Sequence, residues 1–198
     1  MPVTDYNSLV ADAQKYLKRQ DLAAMLPDFI QFAEDYFDKK IYVNARRAQF
    51  IWTPQGAVFA SPSDMKQPIQ AYYMGRLLDF FPIGFESSYA GGNGAKLAFG
   101  YQFIGDNISL SVPQYGQVFT LDYYKTLEPL STSNPSNWLM DDSPSIYLAG
   151  VLFEAFTYVR DLEKSAYWLQ KRDGAIQDYI DDDVSSRHPQ GPLTIRAG

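Results

Sequence analysis

The sequence predicts an α+β protein, mainly an α-helical bundle formed by N- and C-terminal helices, with a β-rich insertion in the middle. Three observations carry this. Apolar residues recur at helical spacing before residue 47, alternate with period two between 48 and 130, and return to helical spacing after 144. Strands that cluster instead of alternating with helices argue against βαβ units. The expected boundaries are 1–47 and 131–183 for the bundle, 48–130 for the insertion and 184–198 for an extended C-terminal tail.

Taken in order, Thr4 or Asp5 can cap a first helix, because their side-chain oxygens accept from orphan N–H groups. Leu9, Ala13, Tyr16 and Leu17 follow about one turn apart, and Gln20-Asp21 interrupts the pattern. A second helix runs from about Leu22 to Tyr42, with a start as late as Leu26 because Pro27 suits a first turn. Its stripe is Leu26, Phe29, Ile30, Ala33, Phe37 and Ile41. Phe50 and Trp52 open a strand. Leu97, Phe99, Tyr101 and Phe103 alternate up to the turn Gly105-Asp106-Asn107, and Ile108, Leu110 and Val112 alternate after it, which predicts a hairpin. SSYAGGNGAK at 87–96 reads as a loop, and Phe119, Leu121 and Tyr123 as a further strand. Asp142 or Ser143 can cap the next helix, with Pro144 in its first turn. Ile146, Tyr147, Val151, Leu152, Ala155, Phe156 and Val159 trace its apolar face. After a joint at Arg160-Asp161, the last helix carries Leu162, Ala166, Leu169, Ile176, Tyr179 and Ile180. The anions Asp181-Asp182-Asp183 oppose the helix dipole, so fraying is expected there.

A chain of 198 residues can bury roughly 70% of the surface its unfolded form exposes, so it folds without staples. It has no cysteine, which excludes disulfides, thiolate metal sites and a cysteine nucleophile and fits a reducing compartment. A formal charge of −6 argues against a general nucleic-acid binder. The densest basic cluster, Arg46-Arg47 near Lys39-Lys40, reads as a solvated helix end. The N-terminus lacks a basic region followed by an apolar core, and no run reaches the ~18 apolar residues of a membrane helix. A soluble protein made without export is the expectation.

Chemistry is sparse. The only histidine, His188, lies in a Pro/Gly tail, which excludes histidine-clustered metal sites and leaves a histidine-based triad without support. The paired carboxylates Asp141-Asp142, Glu34-Asp35 and Asp181-Asp182-Asp183 read as a capping region, a solvated helix face and a frayed end. No enzyme, cofactor or metal is expected. The tyrosines of the β-rich part read as sheet packing, with stacking against sugars or bases as the functional alternative. The tail segment PLTIR reads either as unordered chain or as a strand that orders against a partner.

Four stretches, in order, resemble the head-to-tail adaptor (connector) proteins of tailed bacteriophages, especially those with short tails. They are LPDFIQFAEDYF at 26–37, GDNISLSVP at 105–113 with FTLDYYKTLEPLS at 119–131, NPSNWLMDDSPSIYLAGVLFEAFTYV at 134–159, and SAYWLQKRDGAIQDY at 165–179 with a closing GPLTIR. The resemblance implies a helical bundle carrying a β-rich insertion. It implies a virion protein that forms a homo-oligomeric ring of twelve beneath the portal protein, made in the host cytoplasm. The tail or nozzle proteins dock below, and DNA passes through the channel without specific binding. Gly191, Pro192, Leu193, Thr194, Ile195 and Arg196 would be the portal-reaching strand. Trp138, in the link between insertion and bundle, would be a structural anchor, with Asn134 and Asn137 holding the turns around it. An acidic channel lining repels phosphate; Asp35, Asp38 and Asp178 are put forward for it. The alternative is a tail-associated binding module that recognises carbohydrate or another tail protein. A carboxylate hydrolase is the third reading, for which loss of turnover on Asp141→Asn would speak.

Overall fold

The computed structural model describes residues 3–81, 100–111 and 116–187. It is a mixed α+β protein with two sheets. The chain divides into two compact units, one of Met1–Ala45 with Leu127–Gly198, the other Arg46–Thr126.

In the first unit, α1 (Tyr6–Leu17) starts at Asp5, which accepts from Ser8 N–H at 2.8 Å while Ser8 Oγ accepts from Asp5 N–H at 2.9 Å. This reciprocal pair satisfies two orphan donors. The interruption at Gln20-Asp21 is a 3-10 turn over Gln20–Met25, and α2 runs over Leu26–Lys40. All six residues of the predicted stripe are buried. After the sheet unit the chain passes through residues 127–137 into a short helix, α3 (Trp138–Asp142), then α4 (Pro144–Tyr158) and α5 (Leu162–Arg187). Ser143 sits at the cap position before Pro144 but makes no capping bond; Asn137 instead caps α3, one helix earlier than expected. Side chains from α1, α2, α4 and α5 share one apolar core with Leu127 and Leu130.

Two helix contacts set the spacing of this core. Gly150 on α4 lets α2 approach closely: a Cβ there would lie 2.5 Å from Phe37 Cζ and 3.1 Å from Ala33 Cβ. On α5, Arg172 is 4% exposed, and its guanidinium lies 3.8 Å from the Tyr36 ring centroid and 4.5 Å from that of Phe153. A planar cation between two rings joins α2, α4 and α5 while its Nε donates to Asp173 Oδ1 at 2.9 Å.

The fraying expected at Asp181-Asp182-Asp183 does not occur, since α5 continues to Arg187. Opposition to the dipole is outweighed by partners both within the helix and distant in the chain. Asp183 pairs with Arg187 one turn on and accepts from Asn44 N–H at 2.8 Å, and Asp181 accepts from Gln177 Nε2 at 2.9 Å.

The second unit contains two four-stranded sheets. The first has the order β1 (Arg47–Trp52), β8 (Phe119–Lys125), β3 (Met65–Tyr73), β4 (Arg76–Leu77), all antiparallel. The second has the order β2 (Val58–Ala60), β7 (Asn107–Leu110), β6 (Gly100–Ile104), β5 (Asp79–Phe80), with β5 parallel to β6. The hairpin turns at Gly105, whose φ of 58° favours glycine. Alternate residues Phe119, Leu121 and Tyr123 bury against Ala71, Tyr73, Phe59 and Ile108. Strand β3 escapes the period-two pattern because its pairing with β8 shifts register around Pro68. Arg46 is fully buried, with its Nε donating to the Lys125 carbonyl, which corrects the solvated reading for that residue, while Lys39 and Lys40 are exposed as expected. Arg47 does stay exposed, 5.8 Å from the Tyr124 ring centroid.

Candidate functional site

The densest buried polar arrangement described lies where residues 127–137 cross α2. Glu34 and Asp38 stand one helical turn apart on the flank of the α2 stripe, so both carboxylates face the same way. Glu34 Oε1 accepts from Leu130 N–H at 2.8 Å, and Asp38 Oδ1 accepts from Leu127 N–H at 2.9 Å. Two backbone donors of an extended segment are thereby satisfied by one helix, while the Leu127 and Leu130 side chains enter the core.

Beneath them Tyr147 is fully buried, and its hydroxyl donates to Glu34 Oε1 at 3.1 Å. The same hydroxyl accepts from Asn137 Nδ2 at 2.7 Å, and Asn137 Nδ2 also donates to the Glu128 carbonyl at 2.6 Å. Asn137 Oδ1 caps α3 by accepting from Met140 N–H at 3.0 Å. The segment is further pinned by Asn134 Nδ2 donating to the Pro129 carbonyl at 2.9 Å and by Tyr6 N–H donating to the Pro135 carbonyl at 2.8 Å. Burial pushes the Glu34 carboxyl up to about 7, against the two hydrogen bonds that favour its charge; the neighbouring Asp35 adds to the rise. Burial, aided by the Glu34 charge, pushes the Tyr147 hydroxyl far above the usual phenol range.

The structure therefore corrects the reading of Glu34-Asp35 as a solvated face. Glu34 is 7% exposed, and only Asp35 faces solvent. The signal is present in the spacing: position 34 follows Ile30 by four residues and precedes Phe37 by three, which puts it inside the apolar stripe. Of the acids put forward for a channel lining, Asp35 and Asp178 are exposed, whereas Asp38 is committed to Leu127. Asp141 accepts from the Ser136 hydroxyl, and Asp142 Oδ2 accepts from the Tyr179 hydroxyl at 2.7 Å.

Trp138 is half-buried in the first turn of α3 and packs against the helical core. Its indole Nε1 is buried with no hydrogen-bond partner among the described residues. Asn134 and Asn137 hold the turns around it, but through donors to Pro129 and Glu128 carbonyls and a helix cap. The predicted portal-reaching residues Gly191, Pro192, Leu193, Thr194, Ile195 and Arg196 lie outside the described residues, as does His188. Among the described residues no three His, Cys, Asp or Glu side chains gather to hold a metal ion, and no helix is long and apolar enough to cross a membrane.

The sequence model of the SU10 adaptor protein family matches residues 4–196, which spans both units. No curated protein matches the chain.

Proposed function

Because the chain belongs to the SU10 adaptor protein family, a family of structural phage proteins, we propose that it is the head-to-tail adaptor that joins capsid to tail in the virion. Twelve copies form a ring beneath the portal protein, tail or nozzle proteins dock below, and DNA passes through the centre without specific binding. The observation that carries this reading is the family match, which runs from residue 4 to residue 196 and so takes in both units and most of the tail.

The helical unit serves as a bundle and the sheet unit as its inserted module. Supporting this, the helical unit leaves large apolar side chains outside: Phe32 is 56% exposed, Tyr158 55% and Leu162 78%. Such surface suits contacts between neighbouring copies. The acids at its surface, Asp35 and Asp178 among them, suit a passage that must not hold phosphate. Gly191 to Arg196 reach along the portal, and a chain ending at residue 190 is expected to lose co-sedimentation with its portal while melting unchanged. Undiminished binding by the shortened chain would overturn that assignment.

Trp138 acts as the structural anchor of residues 127–137. Trp138→Ala removes a half-buried indole from the core and is expected to cost about 2 kcal/mol of stability. It should also lower the yield of complete particles on complementation. Normal particles and an unchanged melting temperature would count against the anchor.

A further inference from the structure

We propose that residues 127–137 form a strap whose closure on α2 is governed by the charge on Glu34, held tightest when that carboxyl is protonated. The geometry supplies the parts. The strap lies over Glu34 with the Leu127 and Leu130 side chains in the core, and the Leu130 N–H ends on Oε1. Opening the strap admits water to a carboxyl that is 7% exposed when it is shut. An ionised carboxylate gains far more from that water than a neutral one does.

Among the described residues no cation pairs with Glu34. Its neighbours on α2 are Asp35 and Asp38, and α4 presents Tyr147. The strap brings Asn137 and Glu128, whose carbonyl accepts from Asn137. On α3, Asp141 and Asp142 are engaged by Ser136 and Tyr179. Arg172 is committed to Asp173, Tyr36 and Phe153. A protonated Glu34 keeps Oε1 as an acceptor for both Leu130 and Tyr147, so closure survives neutralisation.

The direction with pH follows from where the proton sits. The closed strap raises the Glu34 carboxyl from 4.5 to about 7, so the closed state binds more protons across that interval. Closure is strongest below about 4.5, weakens as pH rises through the interval, and levels off above about 7.

Hydrogen exchange on the full chain between pH 4.5 and 8, corrected for intrinsic rates, reads this directly. Peptides of the sheet unit serve as the internal reference. Protection at Leu130 should fall about a hundredfold as pH rises, because the closing equilibrium weakens about tenfold for each pH unit between the open and closed titration points. Glu34→Gln keeps an oxygen acceptor without the charge and should show no such fall. Tyr147→Phe removes a bond that favours the ionised form and should move the fall to higher pH. A Glu34 carboxyl carbon that titrates in the ordinary glutamate range by NMR would overturn the proposal. So would equal pH dependence in the wild type and Glu34→Gln. If the glutamine variant does not fold, a fall that stays in place in Tyr147→Phe overturns it equally.

Discussion

Phe37→Ala should cost the helical unit about 3–5 kcal/mol in denaturant unfolding, the largest loss expected from any single truncation in this core. Phe37 is 1% exposed, and its ring meets Tyr147 edge-on with centroids 5.4 Å apart. Its tip rests against Gly150, where α4 carries no side chain to keep α2 away. Truncation therefore opens a cavity beside a glycine that cannot fill it. The partner substitution makes the argument specific. Gly150→Ala alone pushes a methyl to 2.5 Å from Phe37 Cζ and should cost about 1–3 kcal/mol through overpacking. In the Phe37→Ala background the clash with the ring is gone and only the 3.1 Å approach to Ala33 Cβ remains, so Gly150→Ala should cost clearly less there than in the wild type. A double-mutant cycle measures this coupling, and additive losses would mean that the two helices are not spaced by this contact.

Asn137→Ala should cost about 2–4 kcal/mol, more than an ordinary helix cap. One side chain satisfies three groups, Met140 N–H and the Tyr147 hydroxyl in buried hydrogen bonds and the Glu128 carbonyl in a partly buried one. Removing it leaves the first two without that partner and frees the Tyr147 hydroxyl to face Glu34 alone. Asn137→Asp separates these roles. It retains an oxygen for the cap but loses both donors and sets a second anion beside Glu34, so it should be no better than alanine at pH 8. Thermal unfolding of the two variants checks the order. An aspartate that melts like the wild type would show that the cap, and not the link to Tyr147, carries the effect.

The parts of the fold that are legible in the sequence are those with an unbroken period. The α2 stripe from Leu26 to Ile41 and the alternation of Phe119, Leu121 and Tyr123 both bury as their spacing predicts. The hairpin around Gly105 pairs as expected for the residues described, but its burial does not alternate, because Gln102 and Ser109 are buried as well. Strand β3 is not legible, because Pro68 and two register shifts erase its alternation. Strands β4 and β5 contain only two residues each and leave no periodic trace. The helix past Asp183 defies its sequence because local dipole opposition is visible there, whereas the N–H of Asn44, distant in the chain, is not. For the same reason Glu34 and Arg46 look solvated in the sequence. A charged residue looks exposed until the partner that satisfies it is in place, and Leu130 and Lys125 come from far along the chain. Trp138 stands out by size and setting, but the side chain that holds the most polar groups beside it is Asn137.

Electron microscopy of the full chain mixed with its portal protein tests the adaptor assignment most directly. Twelvefold rings with added density at one end of the portal are the predicted result, with density from residues 191–196 running along the portal wall. Portal rings without added density, under conditions where the chain is folded, would contradict the assignment.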